Sequence, residues 1–380
     1  MNKKYIHERM EWPDFRWDWE RLTLQLAAVH RRQGSLFEKM EALGFPLRKE
    51  AVLESITEEV RKSSEIEGEH LDKEQVRSSI ARRLGMDTGA LVIVDRNVDG
   101  VVEMMLDATQ RYEAPLTVER LFAWHSSLFP TGRSGIRPIK VGAWRDDSTG
   151  PMQVVSGPMG RERVHYEAPP TLRLGQEIEG FLTWFESPER FDPVLKAAVA
   201  HLWFVTLHPF DDGNGRIARA LAELALARSE QSTQRYYSMS AQIRKERSAY
   251  YDILEVTQQG DLDLTPWMTW FLTCLERAID QAEITLGAVL AKARFWQAHA
   301  GIPINERQQR LLNRLLDGFD GKLTTSKWAK IATCSQDTAY RDILDLIAKG
   351  MLAREDAGGR TTSYALRLPG SEVRGKTELP

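Results

Sequence analysis

Cysteine is nearly absent from the chain, with Cys274 and Cys334 the only two in 380 residues. Two thiols so far apart build neither a disulfide framework nor a cysteine-based zinc site, and a reducing cytoplasm suits that count. An excess of charge of one sign is missing as well. Lys+Arg 51 against Asp+Glu 54 leaves a net charge of −3, so no global basic charge draws the chain to nucleic acid. Long hydrophobic runs are missing too: no stretch approaches the ~18 apolar residues of a membrane span. The polar opening from Met1 to Trp12 has no apolar segment of a secretory signal. Glycine (26) and proline (16) are too sparse for a collagen-like or low-complexity chain. What is present, 42% hydrophobic and 28% charged residues, is the composition of a folded protein of two or three domains. No internal repeat interrupts it.

Apolar spacing predicts a mostly α-helical chain in several parts. Residues 1–47 carry Trp12, Phe15, Trp17 and Trp19, then Leu22, Leu24, Leu26 and Val29 and, past Gly34, Leu36, Met40 and Leu43. This reads as a helical hairpin whose aromatic cluster packs the segment onto the main body, in preference to a ligand cage. Residues 48–89 predict helices over 48–62 and 73–84, the second opened by Asp72 and Gln75 at capping-box spacing. The largest part, 90–287, has apolar-periodic stretches over 91–112 and 117–128. Between Pro138 and Pro170, alternating runs at 153–156 and 163–166 flank Gly157-Pro158-Met159-Gly160 and predict a β-hairpin. Helices are expected again over 171–188 and, behind Asp192-Pro193, over 194–207. The latter is apolar all round and belongs in the middle of a domain. After Pro303, helices over 305–317, 324–333 and 335–349 and two short strand runs about Gly358-Gly359 predict a winged helix at 302–367. Residues 368–380 read as a tail.

Chemistry concentrates in His208-Pro209-Phe210-Asp211-Asp212-Gly213-Asn214-Gly215-Arg216-Ile217-Ala218-Arg219. A buried helix ends at His208, and a second helix begins near Arg216. Glycines on both sides of Asn214 let backbone N–H groups converge into an anion-binding concavity, to which the next helix adds its positive end. Arg216 and Arg219, one turn apart, can face the same anion. Asp212, at the loop's edge, can hold Mg²⁺ against phosphate oxygens. These are the parts of a di- or triphosphate cradle, and His208 can take a proton from a hydroxyl attacking phosphorus. A two-histidine metal site with His201 lacks a third ligand, and no Walker A loop occurs.

The segment resembles the signature of Fic-domain proteins, HxFx[D/E]GNGRxxR, at every specified position. The resemblance implies a helical Fic core over 90–287 that transfers AMP from ATP, with Mg²⁺, to a Ser, Thr or Tyr hydroxyl of a target protein, itself included. It implies His208 as general base and Phe210 as the residue packing the loop. Asp212 is then the Mg²⁺ ligand, with Gly213, Asn214, Gly215, Arg216 and Arg219 on the phosphates. The kinase-like relative Doc has Ala and Lys where Gly213 and Gly215 stand, which favours nucleotidyl transfer here. The hairpin matches the family's flap, with Val154, Val155, Val164, His165 and Tyr166 as target-binding residues. Tyr251 and Gln258 fall in the segment resembling the one that closes on adenine. For Tyr250 and Tyr251 taken alone, core packing is the better reading.

Upstream, Ser63-Ser64-Glu65-Ile66-Glu67-Gly68 matches the family's inhibitory pattern, [S/T]xxxE[G/N], so Ser63, Glu67 and Gly68 form the expected inhibitory set. A carboxylate paired with Arg219 removes the arginine meant for the γ-phosphate. In the C-terminal region, 302–367, 11 Lys+Arg face 8 Asp+Glu, a local +3. Its expected recognition helix, 335–349, mixes Gln336, Asp337, Thr338, Arg341, Asp342, Asp345 and Lys349. That favours dimerisation or target docking over sequence-specific DNA binding, although Arg354 and Arg360 suit phosphate contacts. The competing functions are a DNA-binding regulator with a nucleotide-sensing Fic domain, and removal of AMP by the same site.

Overall fold

A computed structural model describes residues 4–86, 92–148, 150–158, 160–188, 191–316, 318–319, 321–355 and 362–368. The described residues form fourteen α-helices and three two-stranded antiparallel sheets. Two compact units emerge, one of residues 1–43 and 52–282, the other of 44–51 and 283–380. No described helix is long and apolar enough to cross a membrane.

The first unit holds α1 (Trp19–Glu41), α2 (Phe45–Ile66) from residue 52 onward, α3 (Lys73–Arg83), α4 (Arg96–Gln110) and α5 (Val118–Leu128). The short strands β1 (Arg133–Ser134) and β2 (Arg137–Pro138) lead to the hairpin of β3 (Gln153–Ser156) and β4 (Arg163–Glu167). Then come α6 (Thr171–Glu186), α7 (Pro193–Leu207), α8 (Asn214–Glu230), α9 (Met239–Lys245), α10 (Arg247–Gln258) and, up to residue 282, α11 (Thr265–Ala298). Helices α7 and α8 pack along each other at the centre. Every residue of α7 from Val194 to Leu207 is buried, as its apolar sequence demands. Asp192 caps it by accepting from Val194 N at 2.9 Å.

Two local expectations are corrected. Helix α1 runs unbroken through Gly34, so residues 19–41 are not a hairpin. Leu22, Leu26, Val29, Gln33, Leu36 and Met40 form one buried face, and that packing outweighs the ~1 kcal/mol helix cost of a glycine. Asp72 does cap α3 by accepting from Gln75 N, but Gln75 does not close a capping box. Its Oε1 accepts instead from Asp95 N at 2.9 Å, tying α3 to the start of α4. The aromatic cluster packs: Trp12 and Phe15 both meet Trp203 of α7 edge-on, and Trp12 Nε1 donates to Glu177 at 2.8 Å.

The hairpin register pairs Val154 with Tyr166 and Val155 with Val164, with an irregularity between the two valines. Met159 of its turn lies outside the described residues. In the second unit, α12 (Glu306–Leu316), α13 (Thr325–Ala332) and α14 (Gln336–Ala348) pack with β5 (Leu352–Arg354) and β6 (Tyr364–Leu366). Leu311, Trp328, Ile343, Leu346 and Tyr364 centre that core. Asp342 is not exposed, contrary to the sequence reading. It is 4% exposed and pairs with Arg307 at 2.9 Å. The Gly358-Gly359 turn, Arg360 and residues 369–380 of the tail fall outside the described residues.

Candidate active site

Helix α7 ends on His208 in the left-handed conformation, φ 47° and ψ 54°. Such a backbone costs a non-glycine residue of order 1–3 kcal/mol and persists only where its surroundings fix it. His208 Nδ1 lies 3.2 Å from the Val205 carbonyl. A carbonyl only accepts, so Nδ1 carries the proton and Nε2 keeps its lone pair. Burial is the largest influence on the ring and holds its pKa below the usual histidine value. Arg145 acts in the same direction, while the Val205 carbonyl, Glu67 and Asp212 oppose it. The imidazole is neutral at neutral pH, as a proton acceptor must be.

The loop that follows is tightly internally bonded. Phe210 is fully buried and stacks on His125, with ring centroids 4.1 Å apart and planes at 7°. Asn214 accepts from Phe210 N at 3.0 Å and donates to Phe210 O at 2.8 Å. Its amide therefore closes the loop, and only its backbone N–H remains to face a phosphate. Asp212 accepts from Gly213 N at 2.6 Å and from the Ser134 hydroxyl. His125 donates through Nε2 to the Asp212 carbonyl and accepts at Nδ1 from Gly142 N, both at 3.2 Å. Burial pushes its pKa down to about 4. Helix α8 then starts on Gly213 at φ 81° without a side-chain cap. Its first-turn N–H groups have no intrahelical acceptors, an arrangement suited to an anion.

Arg216 and Arg219 of α8 are buried, and both meet carboxylates. Arg219 Nη2 donates to Glu67 Oε1 at 2.7 Å and to the Ser63 carbonyl at 2.9 Å, and its Nε to Ser63 Oγ at 2.9 Å. Burial disfavours charge on Arg219, but Glu67 together with Tyr250 and Tyr251 more than offsets it, and the group is held charged. The approach requires glycine at 215, since a Cβ there would lie 2.1 Å from Glu67 Oε1. Glu67 and Gly68 form the turn just beyond α2, and Arg247 Nε fixes that turn by donating to Ile66 O at 2.9 Å. Buried Glu59 anchors α2 further, accepting from Ser240 N at 2.9 Å and Ser238 Oγ at 2.6 Å.

The sequence reading missed Glu69, whose Oε2 accepts from Arg216 Nη1 at 2.7 Å. One acidic turn thus engages both arginines. The cluster Glu65-x-Glu67-Gly68-Glu69 was the available signal. Arg216 also sits 5.0 Å from the Phe129 ring centre, and its buried Nε has no hydrogen-bond partner.

Other expected residues are placed differently. Tyr166 is buried, its hydroxyl donating to Thr206 O at 2.7 Å, so it roots the hairpin and is closed to a target. His165 is held by Glu255 through Nδ1 and by Ser156 through Nε2, both at 2.6 Å. Val155 is exposed, and Val154 and Val164 are half-buried. Gln258 is buried with its amide donating to Thr206 Oγ1 at 3.2 Å, committed to α7 and away from any base. Tyr251 stays half-buried beneath Arg247, 4.9 Å from its ring centre. Tyr250 is core, and its hydroxyl lies 2.8 Å from His201 Nε2. Among the described residues no group of three or more His, Cys, Asp or Glu side chains is arranged to hold a metal.

A family model described as "Fic/DOC family" matches residues 115–226, spanning the hairpin, the loop and most of α8. The chain carries a Fic domain. Residues 5–86, from the aromatic segment through α3, match a domain of unknown function, DUF4172. Among curated proteins, the chain is 29% identical over 239 residues to a protein adenylyltransferase Fic of Aedes aegypti, covering 61% of this chain and 42% of that one. It is 26% identical over 261 residues to the protein of that name from Drosophila mojavensis, covering 66% and 47%. The chain thus spans less than half the length of these relatives. In fold it is similar to a Fic family protein from Desulfovibrio desulfuricans G20. That likeness has a TM-score of 0.53 at 22% identity and covers 93% of this chain and 97% of the other.

Proposed function

We propose that the chain is an autoinhibited protein adenylyltransferase that moves AMP from ATP to a Ser, Thr or Tyr hydroxyl of target proteins and of itself. The observation that carries this is the neutral His208, Nδ1 pinned to Val205 O, beside an uncapped helix start bearing two buried arginines. The adenylyltransferase names of its relatives agree.

The target hydroxyl oxygen attacks the α-phosphorus of ATP. The new O–P bond forms as the bond to the β-phosphate bridging oxygen breaks, pyrophosphate leaves, and the proton passes to His208 Nε2. The N–H groups of Asn214 and Gly215 and the guanidinium of Arg216 orient the phosphates, with Arg219 serving the γ-phosphate, whereas the Gly213 N–H is spent on Asp212. Mg²⁺ suits the single carboxylate of Asp212, because this ion takes one or two protein carboxylates and completes its shell with phosphates and water. When bound it supplies charge neutralisation along the phosphates. The exposed edge around Val155 suits strand addition by a target segment.

Inhibition follows from the Glu67–Arg219 pair, which takes the γ-phosphate's partner and sets a carboxylate where that phosphate belongs. For the C-terminal unit, α14 exposes Tyr340 and Leu344 one turn apart, which favours protein contact over DNA reading. His208→Ala tests the catalytic assignment. Single-turnover AMP transfer should fall by on the order of 10²–10⁴ with ATP binding nearly intact. Weakened ATP binding at an unchanged rate would sink it.

A further inference from the structure

Arg145 lies between β2 and β3, far from the signature in sequence, yet its side chain is fully buried. A buried guanidinium is costly unless its donors are used, and these donors converge on the catalytic turn. Nε donates to the His208 carbonyl at 2.7 Å, and the Arg145 backbone N–H to the Pro209 carbonyl at 2.9 Å. Those carbonyls belong to the left-handed residue and its successor, at a helix end that leaves such groups without intrahelical partners. Nη2 donates to Pro169 O at 2.6 Å, two residues beyond β4. Nη1 meets Asp147 Oδ1 at 3.1 Å, and Asp147 is itself fixed by Thr171 N at 3.0 Å and Thr171 Oγ1 at 2.7 Å at the start of α6.

One planar fork therefore joins the His208 turn, the root of the hairpin and the head of α6. We infer that Arg145 is a positioning residue for AMP transfer, holding the His208 turn and the hairpin root in one frame so that Nε2 and the strand-bound hydroxyl stay in register. This rests on the adenylyltransferase reading. A misplacement of about 1 Å costs roughly 10²-fold in such steps, and a lysine cannot reproduce three directed bonds.

The test uses full-length protein carrying Glu67→Gly, with Arg145→Lys or Arg145→Gln added. Both should lower single-turnover AMP transfer at saturating ATP by roughly 10–100-fold, while the Kd for ATP stays within about twofold. A second arm needs no turnover: NMR titration of ring-labelled histidines in the otherwise wild-type chain. The groups facing His208 are Arg145, Glu67, Asp212 and the Val205 carbonyl. Arg145→Gln removes the cation among them and should raise the His208 midpoint, whereas Arg145→Lys should leave it in place. Parent-like transfer in both variants, ATP affinity lost in parallel with rate, or a midpoint unmoved in Arg145→Gln overturns the inference. If Arg145→Gln does not fold, the rate and ATP affinity of Arg145→Lys decide. Should the Glu67→Gly parent transfer no AMP, the adenylyltransferase reading fails, and the NMR arm still decides whether Arg145 acts on His208.

Discussion

Replacing Glu67 with glycine deletes the carboxylate 2.7 Å from Arg219 and leaves the two Ser63 bonds in place. Removing one partner of a fully buried pair costs about 3–5 kcal/mol. Here Arg219 keeps two of its three bonds and Glu67 is 32% exposed. The loss is better set by one charge-assisted hydrogen bond, about 1.5–3 kcal/mol. At the unfolding entropy usual for a unit of this size, that lowers Tm by roughly 3–5 °C. ATP brings its own anion to Arg219, and a ligand at 100 times its Kd adds about 2.7 kcal/mol. Mg-ATP should thus recover the mutant's loss and raise its Tm more than that of the wild type. The same change should turn a nearly silent protein into one that labels itself. Glu67→Gln, which keeps the volume and removes the charge, should do the same in weaker form. The assays are melting curves with and without Mg-ATP alongside self-labelling from ATP. Equal labelling and equal ATP shifts in wild type and mutant would refute the reasoning, leaving Glu67 an ordinary acid at a helix end.

Four further outcomes follow from the geometry. Glu69→Gln frees Arg216 and should tighten ATP binding severalfold in the Glu67→Gly background, read by calorimetry, and an unchanged Kd would show that Arg216 does not meet the nucleotide. Adding Glu67→Gly to Arg219→Ala should restore little activity, and full recovery would show that Arg219 does not bind the triphosphate. The buried histidines predict acid sensitivity, with burial holding His125 at about 4 and His201 at about 3. Both folded values lie below the unfolded one, so this stability is complete above pH ~6.5 and is lost as pH falls towards 4, on the order of 3 kcal/mol for His125. Denaturant midpoints across that range should drop, and His125→Gln should flatten the slope. Gly100→Ala would set a Cβ 1.7 Å from the Ser127 carbonyl oxygen; no side chain can yield there, so a loss at or above the ~3 kcal/mol end of overpacking costs is expected in urea melts.

What was legible in the sequence was local. Eleven apolar residues around one lysine, one histidine and one threonine announce α7, and Asp192-Pro193 announces its start. Glycine on both sides of Asn214 announces a loop feeding a helix, and alternation at 153–156 and 163–166 announces the hairpin. What stayed hidden depends on partners distant in the chain. Gly34 looks like a break until the buried face of α1 is seen to continue across it. Asp342 looks exposed until Arg307 reaches it from another helix. Tyr166 and Gln258 carry the right chemistry for contact with a target or a base, but both are spent on Thr206 of α7. Arg145 gave no signal at all, because its meaning lies in carbonyls that the chain supplies only later.

The central claim is nucleotidyl transfer, and the position of the label on ATP tests it most directly. The Glu67→Gly protein is incubated in parallel with ATP labelled at the α-phosphorus and ATP labelled at the γ-phosphorus, and protein-bound label is measured. The account predicts α-label on protein, no γ-label, and none of either when His208→Ala is added. Label from the γ-position would make the chain a phosphoryl-transfer enzyme and contradict the account, and so would α-label that persists without His208.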